Sequence, residues 1–235
     1  MTKRMLEVYA TAEKEAYEWL KKSNITPSCK RGCDHCCHMM TAITHLEAKA
    51  LAKAVLKLPG EGWKEVATRC RTLSLWLVEH NSRDEYFATK QACPVLDSEK
   101  RECLVYGSRP AACRFYMVVS DPDLCSPDRP KEFVKAIDLS RVEVSLLDYS
   151  MRRPGFYMAP LPLAVLFALT KLGLTGANQK YIEALTEDLS SPEEWFNNSS
   201  YRQWTKEDSG TELQNAHLRA AVEMWGPIGE TLRDL

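Results

Sequence analysis

The chain has 235 residues, 45% of them hydrophobic, with 31 basic against 32 acidic side chains and a net charge of −1. That length and composition suit one sizeable core and exclude a low-complexity or disordered chain. The balanced charge gives no overall positive field to recruit nucleic acid or an anionic membrane.

From Leu6 to Lys22, apolar side chains recur at Leu6, Tyr9, Ala12, Ala16, Trp19 and Leu20 with charges between them, which predicts a first helix. The segment Met1–Glu7 moves straight into that charged pattern without the apolar stretch of a secretory leader, so a cytoplasmic location is expected. Pro27 ends the helix and a thiol-rich loop follows over Ser28–His38. Thr44 and Glu47 have the spacing of a capping box and open a second helix, which buries Leu46, Ala50, Leu51, Ala54, Val55 and Leu58 before Pro59-Gly60 stops it. A third helix is predicted over Val66–His80, with Cys70 on its apolar face as a core residue.

Between Gln91 and Val119 the helical period disappears, and short apolar pieces alternate with polar turns, which reads as loops or a short β-hairpin. After a proline-rich exit at Asp121–Pro130, helices are expected over Ser140–Met151, Pro162–Leu172, Gln179–Leu189 and Glu212–Trp225. Ser191-Pro192-Glu193-Glu194 opens a shorter one. The longest apolar run, Leu161–Leu169, is too short to cross a bilayer and reads as a buried helix, so no membrane partner is expected. The expected fold is mainly α: a single domain over 1–235, with a cysteine-rich metal-binding core at 28–127 and a helical C-terminal part at 131–235.

Nine cysteines are present; besides Cys70 of the third helix, seven of them, Cys29, Cys33, Cys36, Cys37, Cys93, Cys103 and Cys113, fall within 85 residues. An odd count with two adjacent thiols makes a poor disulfide framework, and soft thiolates select zinc, cuprous copper or iron–sulfur clusters over hard cations. Zinc needs four ligands in a closed tetrahedron, for which Cys33-x2-Cys36 is a common half-site, completed by Cys103 and Cys113 or by His35 or His38. Adjacent Cys36 and Cys37 suit a cluster better, because neighbouring side chains on an extended backbone diverge toward separate irons. The spacing of Cys29, Cys33 and Cys36 also matches radical S-adenosylmethionine enzymes, but no strand–helix alternation accompanies it.

The ordered motifs Cys29-x3-Cys33-x2-Cys36-Cys37, Cys93-Pro94-Val95-Leu96 and Cys103-Leu104-Val105-Tyr106-x2-Arg109-Pro110-x2-Cys113-Arg114-Phe115-Tyr116 resemble the YkgJ-type cysteine-cluster family of zinc- or iron-chelating domains. The resemblance covers about residues 29–116 and puts all seven cysteines in the ligand pool. The best quartet is Cys33, Cys36, Cys103 and Cys113, followed by Cys37 and Cys93. Flagellin lysine N-methylases contain a similar domain, which implies that a member can support methyl transfer from S-adenosylmethionine to lysine.

Arg109 and Arg114 flank Cys113, where they either assist a cofactor or form ion pairs with Asp97 or Glu102; Tyr106 and Tyr116 either close the site against water or pack in the core. Cys125 lies outside the family pattern and reads as a surface or incidental thiol. Three functions remain open. One is a [4Fe-4S] protein for redox, sensing or iron handling. The second is a methyltransferase-like enzyme using the cluster, and the third is a zinc-stabilised interaction module. A protein substrate or redox partner is expected in either of the first two cases.

Overall fold

The computed structural model describes residues 2–80, 83–129 and 133–198; the helix expected over Glu212–Trp225 lies outside them. Helix α1 runs over Thr2–Lys22 and buries Met5, Val8, Tyr9, Ala12, Ala16 and Leu20, so the apolar stripe begins at Met5, one residue before the sequence pattern suggests, and also takes in Val8. It stops where Asn24 takes a left-handed backbone and the amide of Ile25 donates to the Leu20 carbonyl at 2.9 Å, the reverse turn that satisfies the last helical carbonyls.

Strand β1 (Ala42–Thr44) leads directly into α2 (His45–Val55), and strand β4 (Met158–Pro160) leads directly into α7 (Leu161–Thr170). The two strands pair antiparallel with Ala42 opposite Pro160 and Thr44 opposite Met158, so one two-stranded sheet fixes the starting points of both helices. Helix α7 is apolar on every side and packs between α2 and α3 (Gly62–His80), which is the condition for a helix at the centre of a core. Cys70 on α3 is fully buried in that core, as its place in the apolar pattern predicts.

Two further helices, α8 (Gly176–Ala184) and α9 (Pro192–Asn197), close the central cluster. The predicted Gln179–Leu189 segment starts earlier and leaves the helix at Ala184, passing into turns before Leu189. Helix α9 carries the expected box, with the Ser191 hydroxyl accepting from the Glu194 amide at 3.2 Å.

A second core joins α1, α6 (Ser140–Met151) and a five-residue helix α5 (Ala111–Phe115). Helix α5 corrects the reading of 91–119 as loop and hairpin alone: one and a half turns leave too few apolar positions to reveal a period, although Pro110 stands at its N-cap. The hairpin itself is present as β2 (Leu96–Asp97) and β3 (Glu102–Cys103), and a short helix α4 (Arg83–Ala88) follows α3. The fold is mainly α with cysteine-rich loops. Among the described residues no helix is long and apolar enough to cross a membrane.

Candidate metal centre

Four chain segments deliver the thiols. The first begins with a tight turn in which the Cys33 amide donates to the Lys30 carbonyl at 3.1 Å, with Gly32 at φ +90°, a conformation that favours glycine. A 3-10 turn over His35–His38 follows, carrying Cys36 and Cys37. The backbone there is therefore a tight turn rather than extended, and instead of diverging the two side chains hydrogen-bond to each other. The second segment is pinned to the first, since the Cys93 amide donates to the Cys37 carbonyl at 2.7 Å. Cys103 sits on β3 opposite Leu96, and Cys113 lies in the middle of α5.

All seven predicted cysteines line one cleft of about 120 Å³, and Cys125 joins them. Cys125 is buried, which corrects its reading as a surface thiol; it enters through a 3-10 turn over Pro122–Cys125 that packs against the Cys36-Cys37 turn. All nine cysteines are free thiols. Burial is the main cause that raises the pKa of Cys29, Cys33, Cys93, Cys103 and Cys113, and the charge of Cys36 adds to each; Cys37 is raised chiefly by its hydrogen bond to Cys36. Cys36 itself is lowered to about 7 in spite of its burial, chiefly because the Cys37 thiol donates to its sulfur, then through a hydrogen bond from its own backbone and the nearby charge of Arg109. Burial pushes Cys93 up to about 12 and Cys113 well above the usual thiol range.

Among the described residues no three His, Cys, Asp or Glu side chains converge tightly enough to hold a single metal ion. Of the nitrogen candidates, His35 lines the cleft with its Nε2 3.2 Å from Asp123 Oδ1, and His38 Nδ1 lies 3.1 Å from the Lys90 carbonyl.

Both arginines line the cleft, but their ion-pair partners are not the expected ones. Both pair with Glu13 of α1 rather than with Asp97 or Glu102, Arg109 at 3.1 Å and Arg114 at 2.6 Å. Arg114 is only 5% exposed and also donates to the carbonyls of Arg109 and Gly107. Glu102 instead pairs with Arg31, and Asp34 with Arg101 at 2.6 Å, so two crossed ion pairs tie the first thiol loop to the hairpin. Tyr106 stands half-exposed at the mouth with the Arg109 guanidinium 3.7 Å from its ring centroid, and Tyr116 lines the cleft wall, half-buried.

Sequence reasoning missed the contribution of α1. Tyr9, Glu13 and Tyr17 are spaced by four and so share one helix face; Tyr9 and Glu13 bond to the Cys113 segment or its supports, and Tyr17 lines the cleft. The only signal in the sequence was a Tyr-x3-Glu-x3-Tyr stripe, which reads equally as an ordinary amphipathic face.

Residues 28–136, a span that contains all nine cysteines, match the model of the family described as "Putative zinc- or iron-chelating domain", CxxCxxCC. This is the cysteine-cluster family that the ordered motifs resemble. The chain carries one residue more than that motif between its first two thiols, and the left-handed Gly32 lies in this longer interval. No curated protein and no solved structure matches the chain.

Proposed function

We propose that the cleft holds an iron–sulfur cluster of the [4Fe-4S] type and serves redox chemistry, sensing or iron handling. The observation that carries this reading is that eight thiols border one cleft while no three focus on a point. A structural zinc asks for a closed tetrahedron about one ion, whereas a cluster asks for sulfurs set apart around a larger body. The size agrees: at about 120 Å³ the cleft has roughly ten times the ~10–15 Å³ that a single water needs.

Cys33, Cys36, Cys103 and Cys113 are the favoured ligands, with Cys37 and Cys93 next. Cys36 is the natural first thiolate because its proton is already loosened near neutral pH. When bound, such a cluster supplies one-electron chemistry whose potential follows hydrogen bonding and burial. The chain provides both levers. The Val118 amide donates to Cys29 Sγ at 3.4 Å, Arg109 brings positive charge toward Cys36, Cys103 and Cys113, and Leu51, Met40, Tyr86 and Met117 wall the cleft against water. Abundant free thiols also fit a reducing compartment such as the cytoplasm.

A serine panel tests the assignment. Cys36→Ser, Cys103→Ser and Cys113→Ser should abolish metal retention after anaerobic purification, whereas Cys70→Ser, outside the cleft and wholly within the core, should keep the metal and lose only packing. Equal retention in all four variants would overturn the ligand assignment.

A further inference from the structure

Glu47 is 6% exposed and does two tasks with one carboxylate. Its Oε2 accepts from the Thr44 amide at 2.7 Å and from the Thr44 hydroxyl at 2.9 Å, completing the capping box of α2. A capping box requires no more than that. Its Oε1, however, accepts from the Tyr9 hydroxyl of α1 at 3.1 Å and from the backbone amide of Ala111 at 2.8 Å, 64 residues away. Ala111 is the first residue of α5, and Cys113 is the third.

Helix α5 cannot hold that position unaided. It has five residues, its N-cap is Pro110, and no side chain of its own caps it, so its leading amide depends on an acceptor from elsewhere. Glu47 is that acceptor. We infer that Glu47 is a positioning residue of the metal centre, placing Cys113 against Cys36, Cys93 and Cys103 through the Ala111 amide. The inference rests on the metal-centre reading above, yet its physical content concerns the metal-free chain as well. A rigid α2, started by β1 and packed on α7, transmits its position through one carboxylate oxygen to a thiol segment too short to fix itself.

The test separates this task from ordinary stabilisation by comparing Glu47→Gln with Thr44→Ala in the full chain. Thr44→Ala removes the hydroxyl side of the cap but leaves the Glu47–Ala111 bond. Glu47→Gln replaces one acceptor oxygen by a donor, so the carboxylate's four bonds cannot all be kept. The first readout is the iodoacetamide labelling rate of Cys113 relative to Cys70 in folded, metal-free protein, followed by mass spectrometry. Losing a buried amide's acceptor should raise the open population of α5 by about 5- to 150-fold, and Cys113 labelling with it, in Glu47→Gln alone.

The second readout is the visible spectrum and iron content after anaerobic reconstitution, which should change in Glu47→Gln and stay as wild type in Thr44→Ala. Equal Cys113 labelling in both variants, or labelling of Glu47→Gln at the wild-type rate, overturns the inference. Should Glu47→Gln prove unfolded, Ala111→Pro, which removes the amide that donates to Oε1 at a first-turn position that tolerates proline, replaces it: a rise in Cys113 labelling at unchanged Cys70 labelling supports the role, and no rise overturns it. A wild-type chain that takes up no iron contradicts the metal-centre reading but leaves the Cys113 labelling comparison decisive for Glu47.

Discussion

Replacing Glu13 by glutamine removes one negative charge from between two guanidinium groups. In the native chain its carboxylate receives Arg109 at 3.1 Å and Arg114 at 2.6 Å, and the three side chains are 23%, 18% and 5% exposed. Glutamine can still accept one N–H through its oxygen, but its amide nitrogen then confronts the second arginine donor to donor. Breaking a fully buried pair by removing one partner costs about 3–5 kcal/mol, while an exposed pair is worth about 0–1 kcal/mol. The partial exposure of Glu13 and Arg109 places this case between those limits, at about 2–3 kcal/mol. For a domain of this size that corresponds to a fall in Tm of roughly 4–12 °C.

Urea denaturation of metal-free protein, with Arg114→Met and the double variant completing a cycle, measures the interaction directly. The double variant should lose clearly less than the sum of the singles, because without Arg114 the glutamine can turn its oxygen to Arg109 and no donor faces a donor. A Glu13→Gln loss below about 0.5 kcal/mol, or additive singles, would refute the argument that α1 clamps the Cys113 segment electrostatically.

The thiols predict a pH optimum for the metal-free protein. Cys36, lowered to about 7 by the Cys37 thiol, gives up its proton earlier folded than unfolded; its contribution is present above the ordinary thiol value of ~8.5 and is lost as pH falls through about 7. Cys93 and Cys113 are raised by burial, so each keeps a proton that the unfolded chain releases, and each lowers stability as pH rises above ~8.5. Urea stability should therefore rise from pH 7 to about 8.5 and fall toward pH 10; a flat profile contradicts the burial of these thiols. Leu166→Ala, at a fully buried position on α7, should cost about 2–5 kcal/mol by thermal or urea unfolding without changing metal stoichiometry, and a loss under 1 kcal/mol would deny α7 its central place. Stripping metal anaerobically should make the thiol-bearing segments 28–41 and 91–125 susceptible to limited proteolysis while the α2–α3–α7 core resists; unchanged cleavage would show that metal and fold are uncoupled.

Local chemistry made much of this fold readable from the chain. Thr44 with Glu47, and Ser191 with Glu194, announced two helix starts because a capping box is a contact across three residues. The bounds of α6 and the burial of Cys70 followed from periodicity in the same way. What escaped was set by distance along the chain. The pairing of Ala42 with Pro160 leaves three-residue strands too short to show alternation, and α5 too has no period of its own. The motif order identified the thiol pool, and all seven thiols do border one cleft. It could not reveal that Cys125 joins them, nor that Glu13, about 100 residues away, outcompetes the sequence-near acids for Arg109 and Arg114. Glu102 and Asp97 are unavailable because Arg31 and Lys100 already hold them.

Iron and acid-labile sulfide, counted per chain in protein purified without oxygen, bear most directly on the thiol cleft as a cluster site. The account predicts about four of each together with a broad absorbance near ~400 nm that disappears in Cys36→Ser and Cys113→Ser. One zinc per chain in a colourless, sulfide-free protein would contradict it.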